Sequence, residues 1–432
     1  MTAIFTDIAL KILIYGINFA PELTGIGKYT GEMAVWLAAR GHQVQVVTAP
    51  PYYPEWSVGA GYSAHTWRRE QWQGVDVWRC PLWVPAKPGG AKRLLHLASF
   101  ALSSLPVMLR HIFWRPDVVW VVEPALFCAP TACLVARLSG AKAWLHVQDF
   151  EVDAAFDLGL LKGERVKRMV LGAERWLLRR FNVVSTISER MLERLHSKGL
   201  PASRTVLAPN WVDISAIAPR PASAGPSPMR ATLGIAADAV VALYSGNMGA
   251  KQGLDLLADA AKLCQSCDQN GVSSQVDKGH AAIVFVFCGN GAGRADLQAR
   301  CAGLNNVHFL DLQPLEHLND LLAMADIHLL PQRADAADLV MPSKLTGMLA
   351  SGRPVLATAH KGTELASVVN ECGLVVPPEN PALFAEAILS LANDPNLRSK
   401  LGGAARIYAE QHLHMDAVLS RFEKSLCYVK TR

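Results

Sequence analysis

No stretch of this chain reaches the ~20 uninterrupted apolar residues that a membrane-spanning helix needs. Asp7 breaks the apolar run at the N-terminus, and no small-residue cleavage site follows it. The start therefore does not read as a signal peptide, and a cytoplasmic protein is expected. Charge is scarce as well: 18% of residues are Asp, Glu, Lys or Arg, whereas 51% are hydrophobic. That balance excludes disorder and suits buried parallel sheets. The base-reading and stacking motifs of nucleic-acid binders are missing, so no nucleic-acid partner is expected. Nine cysteines are scattered through predicted strands and helices. Only Cys264-Gln265-Ser266-Cys267 has metal or redox spacing, and no second Cys or His pair matches it. The cysteines read as small buried thiols in a reducing compartment.

A length of 432 residues exceeds one ordinary core and points to two domains. The net charge of +5 hides an asymmetry. Residues 1–205 hold 24 Lys and Arg against 16 Asp and Glu, a balance of +8, whereas the remainder holds 18 against 21, a balance of −3. The positive field belongs to the N-terminal half, and it suits an anionic membrane surface or an anionic acceptor.

One architectural theme is stated twice. Gly25-Ile26-Gly27 follows a buried strand near the start, and Gly246-Asn247-Met248-Gly249-Ala250-Lys251 follows another past the midpoint. A strand leading through a glycine turn into a helix N-terminus places unpaired N–H groups and the positive helix end where an anion can sit. Two such units predict a phosphate-bearing ligand in a cleft between two α/β domains.

Strands are predicted at Lys11–Ile17, Gln43–Thr48, Asp117–Val122, Lys142–Val147, Asn182–Ile187 and Arg204–Ala208, alternating with helical or loop segments. This is the pattern of a doubly wound sheet with right-handed crossovers. Pro219, Pro221, Pro226 and Pro228 then mark a linker. Alternation resumes with Val240–Ser245, a helix over Lys251–Leu263, and strands at Ala282–Cys288, Val307–Leu310, Ile327–Leu330, Pro354–Ala357 and Leu374–Val376. The expected division is 1–215, a linker at 216–230, a second Rossmann-like domain at 231–408, and a terminal helical segment at 409–432 packing back toward the first domain.

Ligands of open α/β sheets bind beyond the carboxyl ends of the strands. Gly25 and Gly27 stand there, either for an anion or for tight packing. Lys251 lies in the first turn of its expected helix, where a cation opposes the macrodipole unless an anion compensates both. Lys344, in Pro342-Ser343-Lys344, repeats the anomaly, and two such lysines would form a diphosphate clamp. His146, Gln148 and Asp149 crowd the end of one strand, with Glu151 and Asp153 following. His146 reads either as a catalytic group or as a satisfied histidine under the loop, and Asp149 as a catalytic group or a helix cap. Ala91 to Arg110 joins Lys92, Arg93 and Arg110 to an apolar set that includes Phe100. This basic amphipathic element, too short to span, reads as a surface for a membrane or acceptor, with Trp67, Arg68, Arg69, Trp83 and Arg115 as neighbours, or as an ordinary domain helix.

The run Tyr15-Gly16-Ile17-Asn18-Phe19-Ala20-Pro21-Glu22-Leu23-Thr24-Gly25-Ile26-Gly27-Lys28-Tyr29, together with Thr48-Ala49-Pro50-Pro51-Tyr52-Tyr53-Pro54, His146-Val147-Gln148-Asp149-Phe150, Pro209-Asn210-Trp211, Lys251-Gln252-Gly253-Leu254 and Pro342-Ser343-Lys344-Leu345, resembles the family 4 glycosyltransferases of the two-domain GT-B fold over nearly the whole length. The likeness is strongest to those of colanic acid and related exopolysaccharide synthesis. It implies retaining transfer of a sugar from a nucleotide-diphosphate sugar, a GDP-sugar such as GDP-fucose, to a polyprenyl-diphosphate-linked oligosaccharide on the inner face of the plasma membrane, with no metal or other cofactor. By the same resemblance Gly246, Asn247, Lys251, Ser343, Lys344 and Glu364 hold the donor with Gly25 and Gly27, while His146 to Asp149 line the donor-sugar and acceptor pocket. Two departures stand out. Many members carry arginine where Asn247 stands, and the family's Glu-x7-Glu pair is replaced by Leu339 and Gly347, leaving Asp335, Asp338 and Glu364 as substitutes. A nucleotide-sugar 2-epimerase of the same fold and a non-catalytic nucleotide-sugar or glycan-binding subunit remain as alternatives.

Overall fold

A computed structural model describes residues 9–23, 25–86, 89–123, 126–150, 164–249, 252–270, 281–334 and 341–431. The chain divides into two compact units, Met1–Asn210 with Asp416–Arg432, and Trp211–Met415.

Unit 1 is built on eight strands: β1 Lys11–Tyr15, β2 Gln43–Thr48, β3 Arg68–Trp72, β4 Val75–Arg79, β5 Val118–Glu123, β6 Lys142–Val147, β7 Val183–Thr186 and β8 Thr205–Leu207. Their order is β3-β4-β2-β1-β5-β6-β7-β8. All pairings are parallel except β3 with β4. Strands β1 and β5 read as continuous apolar runs because both of their faces are covered. The β3–β4 hairpin is an addition to the expected strands. Its two-residue turn places Gln73 at φ 44° and Gly74 at φ 86°, the pair of positive φ values that matches the twist of a tight hairpin. Helices α1 Gly25–Ala39, α2 Gly90–Trp114, α3 Ala129–Ser139, α4 Glu164–Leu178 and α5 Glu189–Ser197 make the crossovers.

The helix Met415–Thr431 belongs to unit 1 from Asp416 onward. Trp36 Nε1 donates to Asp416 Oδ1 at 2.8 Å, and Arg40 Nε donates to both oxygens of Glu423 at 2.8 and 2.9 Å. These surface contacts add at most about 1 kcal/mol each. The stronger anchor is Phe422, buried edge-on against Trp144 and Trp120 with ring centroids 5.2 and 6.1 Å apart. Burying one such ring stabilises by roughly 1.5–3 kcal/mol.

Unit 2 carries six parallel strands: β9 Val240–Ser245, β10 Ile283–Cys288, β11 Val307–Leu310, β12 Ile327–Leu330, β13 Val355–Thr358 and β14 Gly373–Val376, ordered β11-β10-β9-β12-β13-β14. The stretch read as a linker is packed into this unit. Ser227 Oγ donates to Asp320 O at 2.9 Å, and the buried Arg230 guanidinium donates to Met324 O, Ala239 O and Asp326 Oδ2. Arg406 ties down the preceding segment through Ile214 O and Ile217 O. The prolines there sit in a segment of turns and short helices held by side chains rather than in a tether.

Candidate functional site

Beyond the carboxyl ends of β9 and β10 two glycine turns lock together. Gly246 N donates to Cys288 O at 2.9 Å, Met248 N to Asn290 O at 2.8 Å, and Gly293 N to Met248 O at 2.8 Å. Gly289 has φ +148°, and a Cβ there would stand 1.9 Å from Gly246 O; at Gly291 it would stand 2.6 Å from Met248 O and 2.7 Å from Asn247 Oδ1. The glycines are required so that main chain can touch main chain. This corrects one expectation. The amides of Gly246 and Met248, and that of Gly249 through Gln252 Oε1 at 3.1 Å, are used within the protein and are not aimed at an anion. Among the described residues the next α-helix is Asp255–Asn270, later than the expected start at Lys251, with Gly253 at φ +59° just before it. Lys251 lies outside the described residues, as do Glu151, Asp153, Asp335, Asp338 and Leu339.

The described cation at this strand end is Lys344, first residue of the helix Lys344–Ala350. Its stem lies 3.4 Å from where a Gly246 side chain would begin, and its Nζ sits 3.9 Å from the centroid of the Tyr244 ring. That ammonium is buried and has no hydrogen-bond partner among the described residues. Burial alone lowers its pKa to about 7, so no described carboxylate offsets the loss of water. Tyr244 donates its hydroxyl to Asn247 O at 2.6 Å. Four residues at one strand end, Tyr244, Gly246, Asn247 and Lys344, thus form one cluster; Tyr244 was not anticipated, its only signal being an aromatic residue two places before the glycine. Ser343 precedes Lys344 in sequence. Glu364 opens a separate helix, Glu364–Cys372, capped by Thr363 Oγ1 accepting from Ala366 N at 3.2 Å. A side chain at Gly347 would meet Leu322 Cδ1 at 3.3 Å, so the buried Leu322 crowds the place of the missing glutamate.

In unit 1 the end of β6 differs from the catalytic expectation for His146. The ring is buried, stacked on Trp120 at 5.3 Å, and both nitrogens are engaged: Nδ1 with Ser185 Oγ at 2.8 Å and Nε2 with Gln148 Nε2 at 3.0 Å. Because an amide NH2 only donates, Nε2 accepts and Nδ1 carries the proton. Burial pushes its pKa down to about 3. His146 is therefore a neutral positioning group that holds Gln148, whose Nε2 also reaches Asn210 Oδ1 at 3.2 Å. Asp149 follows, half-buried.

The first glycine turn also has an internal occupant. Gly25, at φ +60°, starts α1 with open space beside it, whereas a Cβ at Gly27 would stand 2.5 Å from Glu22 Oε2. Glu22 is buried, accepts from Tyr52 N and Tyr53 N at 3.1 Å each and from Asn18 Nδ2 at 2.9 Å, and burial raises its pKa to about 7. Gly27 serves packing.

Helix α2 runs 25 residues rather than 20 and is long and apolar enough to cross a membrane by length and composition, with a third of its most apolar window buried. Its inner side packs on the sheet, where Phe100 lies 5.8 Å from the Tyr15 ring and Ser104 Oγ shares a 2.6 Å hydrogen bond with Tyr15. Phe100 is thus core, not contact surface. Lys92 and Arg93 are exposed, beside Leu94, Leu95 and Leu102. Trp67 Nε1 donates to Ser103 O at 2.9 Å and Trp83 N to Ser99 Oγ at 3.0 Å, which sets both exposed indoles along the helix.

Residues 24–211 match the glycosyl transferase 4-like domain, and residues 239–394 match the glycosyl transferases group 1 domain. The chain is similar, at 42% identity over 421 residues, to the putative colanic acid biosynthesis glycosyl transferase WcaI of Escherichia coli strain K12, across 96% of this chain and 98% of that protein. Among solved structures it is similar to sucrose-phosphate synthase from Thermosynechococcus elongatus, with a TM-score of 0.73 at 18% identity over 97% and 99% of the two chains. It is also similar to HepE of Anabaena in complex with UDP and glucose, with a TM-score of 0.67 at 16% identity over 97% and 100%. At these identities the structural likeness is one of fold.

Proposed function

This chain belongs to the family 4 glycosyltransferases of the GT-B fold and is a glycosyltransferase, and from that premise we propose that it moves a sugar from a GDP-sugar, GDP-fucose first among them, to a polyprenyl-diphosphate-linked oligosaccharide. Transfer proceeds with retention at the anomeric carbon, in the assembly of a colanic-acid-like exopolysaccharide, with the protein peripheral on the cytoplasmic face of the membrane. The biosynthetic setting comes from the name of the Escherichia coli relative.

The observation that carries the donor site is the buried Lys344 ammonium beside the Gly246 turn, with no hydrogen-bond partner among the described residues. As the glycosidic bond to the diphosphate breaks, negative charge grows on the leaving nucleotide. A cation that is poorly solvated before the reaction stabilises that charge more than one already satisfied by water. Lys344 supplies it without a metal ion, and Lys251, Ser343 and Glu364 complete the donor contacts. In unit 1, Gly25 offers an open helix start, and Gln148, held by His146, and Asp149 are the residues that the family resemblance assigns to the sugar. Lys92 and Arg93, with Leu94, Leu95, Leu102 and the two indoles, support contact with the bilayer that carries the acceptor.

The test is nucleotide release. Purified protein with lipid extract as acceptor is expected to release GDP from GDP-fucose faster than UDP from UDP-sugars, and GDP is expected to raise the melting point, by up to about 2.7 kcal/mol of stabilisation at a hundredfold excess over Kd. UDP release from UDP-N-acetylhexosamine without any acceptor would instead identify an epimerase. Nucleotide binding without turnover would identify a binding subunit.

A further inference from the structure

Among the described side chains, α2, α3 and α4 of unit 1 expose no carboxylate. Residues 90–114 and 129–139, which form α2 and α3, contain no Asp or Glu. In α4, Glu174 is buried and its Oε2 accepts from Lys198 Nζ at 2.5 Å, so that charge is neutralised inside the unit. Cations abound by contrast: α4 and the two residues after it expose Arg165, Lys167, Arg168, Arg175, Arg179 and Arg180.

These three helices share one face of the sheet. The connections β4 to β5, β5 to β6 and β6 to β7 all step the same way along the strand order, and right-handed crossovers place their helices on one side. Helix α2 packs against α3. Arg180 acts on Cys133 of α3, opposing the burial that pushes that thiol up to about 11, so α3 and the end of α4 are neighbours. The basic layer ends at α5, where exposed Glu189 and Glu193 return.

The layer is also apolar where it meets solvent. Phe113 on α2 is 86% exposed, Leu138 on α3 57%, and Trp176 on α4 58%. Around Trp176 a depression of about 590 Å³ is lined by Gly172, Arg175, Arg179 and Arg180, with the Arg180 guanidinium 4.5 Å from the indole centroid. A soluble anion would reward the arginines and leave the rings in water. An anionic bilayer rewards both, the cations at its phosphates and the rings at its acyl boundary.

We infer that α2, α3 and α4 form a single docking face for an anionic phospholipid surface, in which Arg175, Arg179 and Arg180 hold phosphate headgroups around Trp176. It rests on the reading above only in taking a bilayer as the place of work, and it adds a second contact beyond Lys92 and Arg93. The test is flotation of the full chain with phosphatidylcholine vesicles with and without phosphatidylglycerol. Changing Arg175, Arg179 and Arg180 together to Gln is expected to lower partitioning into phosphatidylglycerol vesicles roughly a hundredfold, at about tenfold or less per cation, and Trp176→Ala several-fold. The melting point and its rise with GDP should stay unchanged, since all four side chains are exposed. Parent-like partitioning of the triple variant, with loss only in Lys92→Gln/Arg93→Gln, would overturn the shared face while leaving the α2 contact standing. Equal binding to heparin, insensitive to Trp176→Ala, would overturn it in favour of a soluble polyanion.

Discussion

Two glycine turns that look alike in sequence, Gly25-Ile26-Gly27 in unit 1 and Gly246-Asn247 in unit 2, enclose opposite charges. Beneath the first lies Glu22, a carboxylate with three donors and a pKa raised to about 7; beside the second lies Lys344, an ammonium with no hydrogen-bond partner among the described residues and a pKa lowered to about 7. Burial is the leading cause in both cases, and it moves acid and base toward each other because it disfavours whichever form is charged. The difference lies in the partners. Glu22 already has its hydrogen bonds, so its carboxyl fastens the segment after β2 to the start of α1. Lys344 has none among the described residues, only the Tyr244 ring beside it, so its charge is left for a ligand. A glycine turn therefore does not identify an anion site; the nearest buried ionisable side chain and its hydrogen bonds do.

The strongest way to break this contrast is through the glycines. Gly289→Ala brings a Cβ within 1.9 Å of Gly246 O at φ +148°, and main chain cannot swing aside as a side chain can. We expect a loss above about 4 kcal/mol, seen as collapse of hydrogen-exchange protection across β9 and β10. Gly27→Ala meets Glu22 Oε2 at 2.5 Å, which can swing aside, and Glu22 Cβ at 2.7 Å, which moves only with its backbone, and about 1–3 kcal/mol is expected, with protection lost in α1 alone. Equal costs would show that both turns are main-chain locks.

Glu22→Gln tests the fastening role through pH. A carboxyl whose pKa rises on folding, here from 4.5 to about 7, binds its proton more tightly in the native state. Its contribution is fully present below pH 4.5 and is lost as pH climbs through about 7, a change of roughly 3 kcal/mol. Urea titrations of Glu22→Gln should show a shallower fall in stability across that window than the parent. An unchanged slope would mean that another group titrates there.

Much of this was readable from residues, and where reading stopped there is a physical cause. Strands such as Lys142–Val147 and Val240–Ser245 carry the signal of burial on both faces, Gln43–Thr48 carries an alternating one, and the structure forms all three at those bounds. The Arg68–Trp72 edge strand is polar and largely exposed, so it lacks that signal. Phe100 was placed on the wrong side because α2 is apolar nearly all round; only the sheet beneath reveals that Phe100 and Ser104 face inward while Leu95 and Leu102 face out. For His146, polar crowding at the end of β6 is visible locally, but the partners that satisfy it, Ser185 and, through Gln148, Asn210, lie far along the chain. Lys344 was legible as a cation opposing a helix dipole. That its Nζ rests sealed on Tyr244 was not.

That sealed state has the smallest effect on stability and the most specific signature in binding. Below pH 7 the Lys344 amine is mostly protonated and a diphosphate meets a ready cation. Above pH 7 it is mostly neutral, and because an adjacent anion favours the charged form, each binding event must take up a proton. Donor affinity should therefore be level below about pH 7 and fall by up to tenfold per pH unit above it, with proton uptake seen by calorimetry in buffers of different ionisation enthalpy. Lys344→Met keeps the stem and removes the charge. It should abolish the slope and weaken GDP binding at pH 6.5 by about 1.5–3 kcal/mol. The melting point should hold or rise, because a buried ammonium with no described hydrogen-bond partner gives way to an apolar chain. Glu22→Gln should leave the slope untouched. If Lys344→Met keeps it, the amine that answers the donor lies elsewhere, and Lys251 is the first to replace.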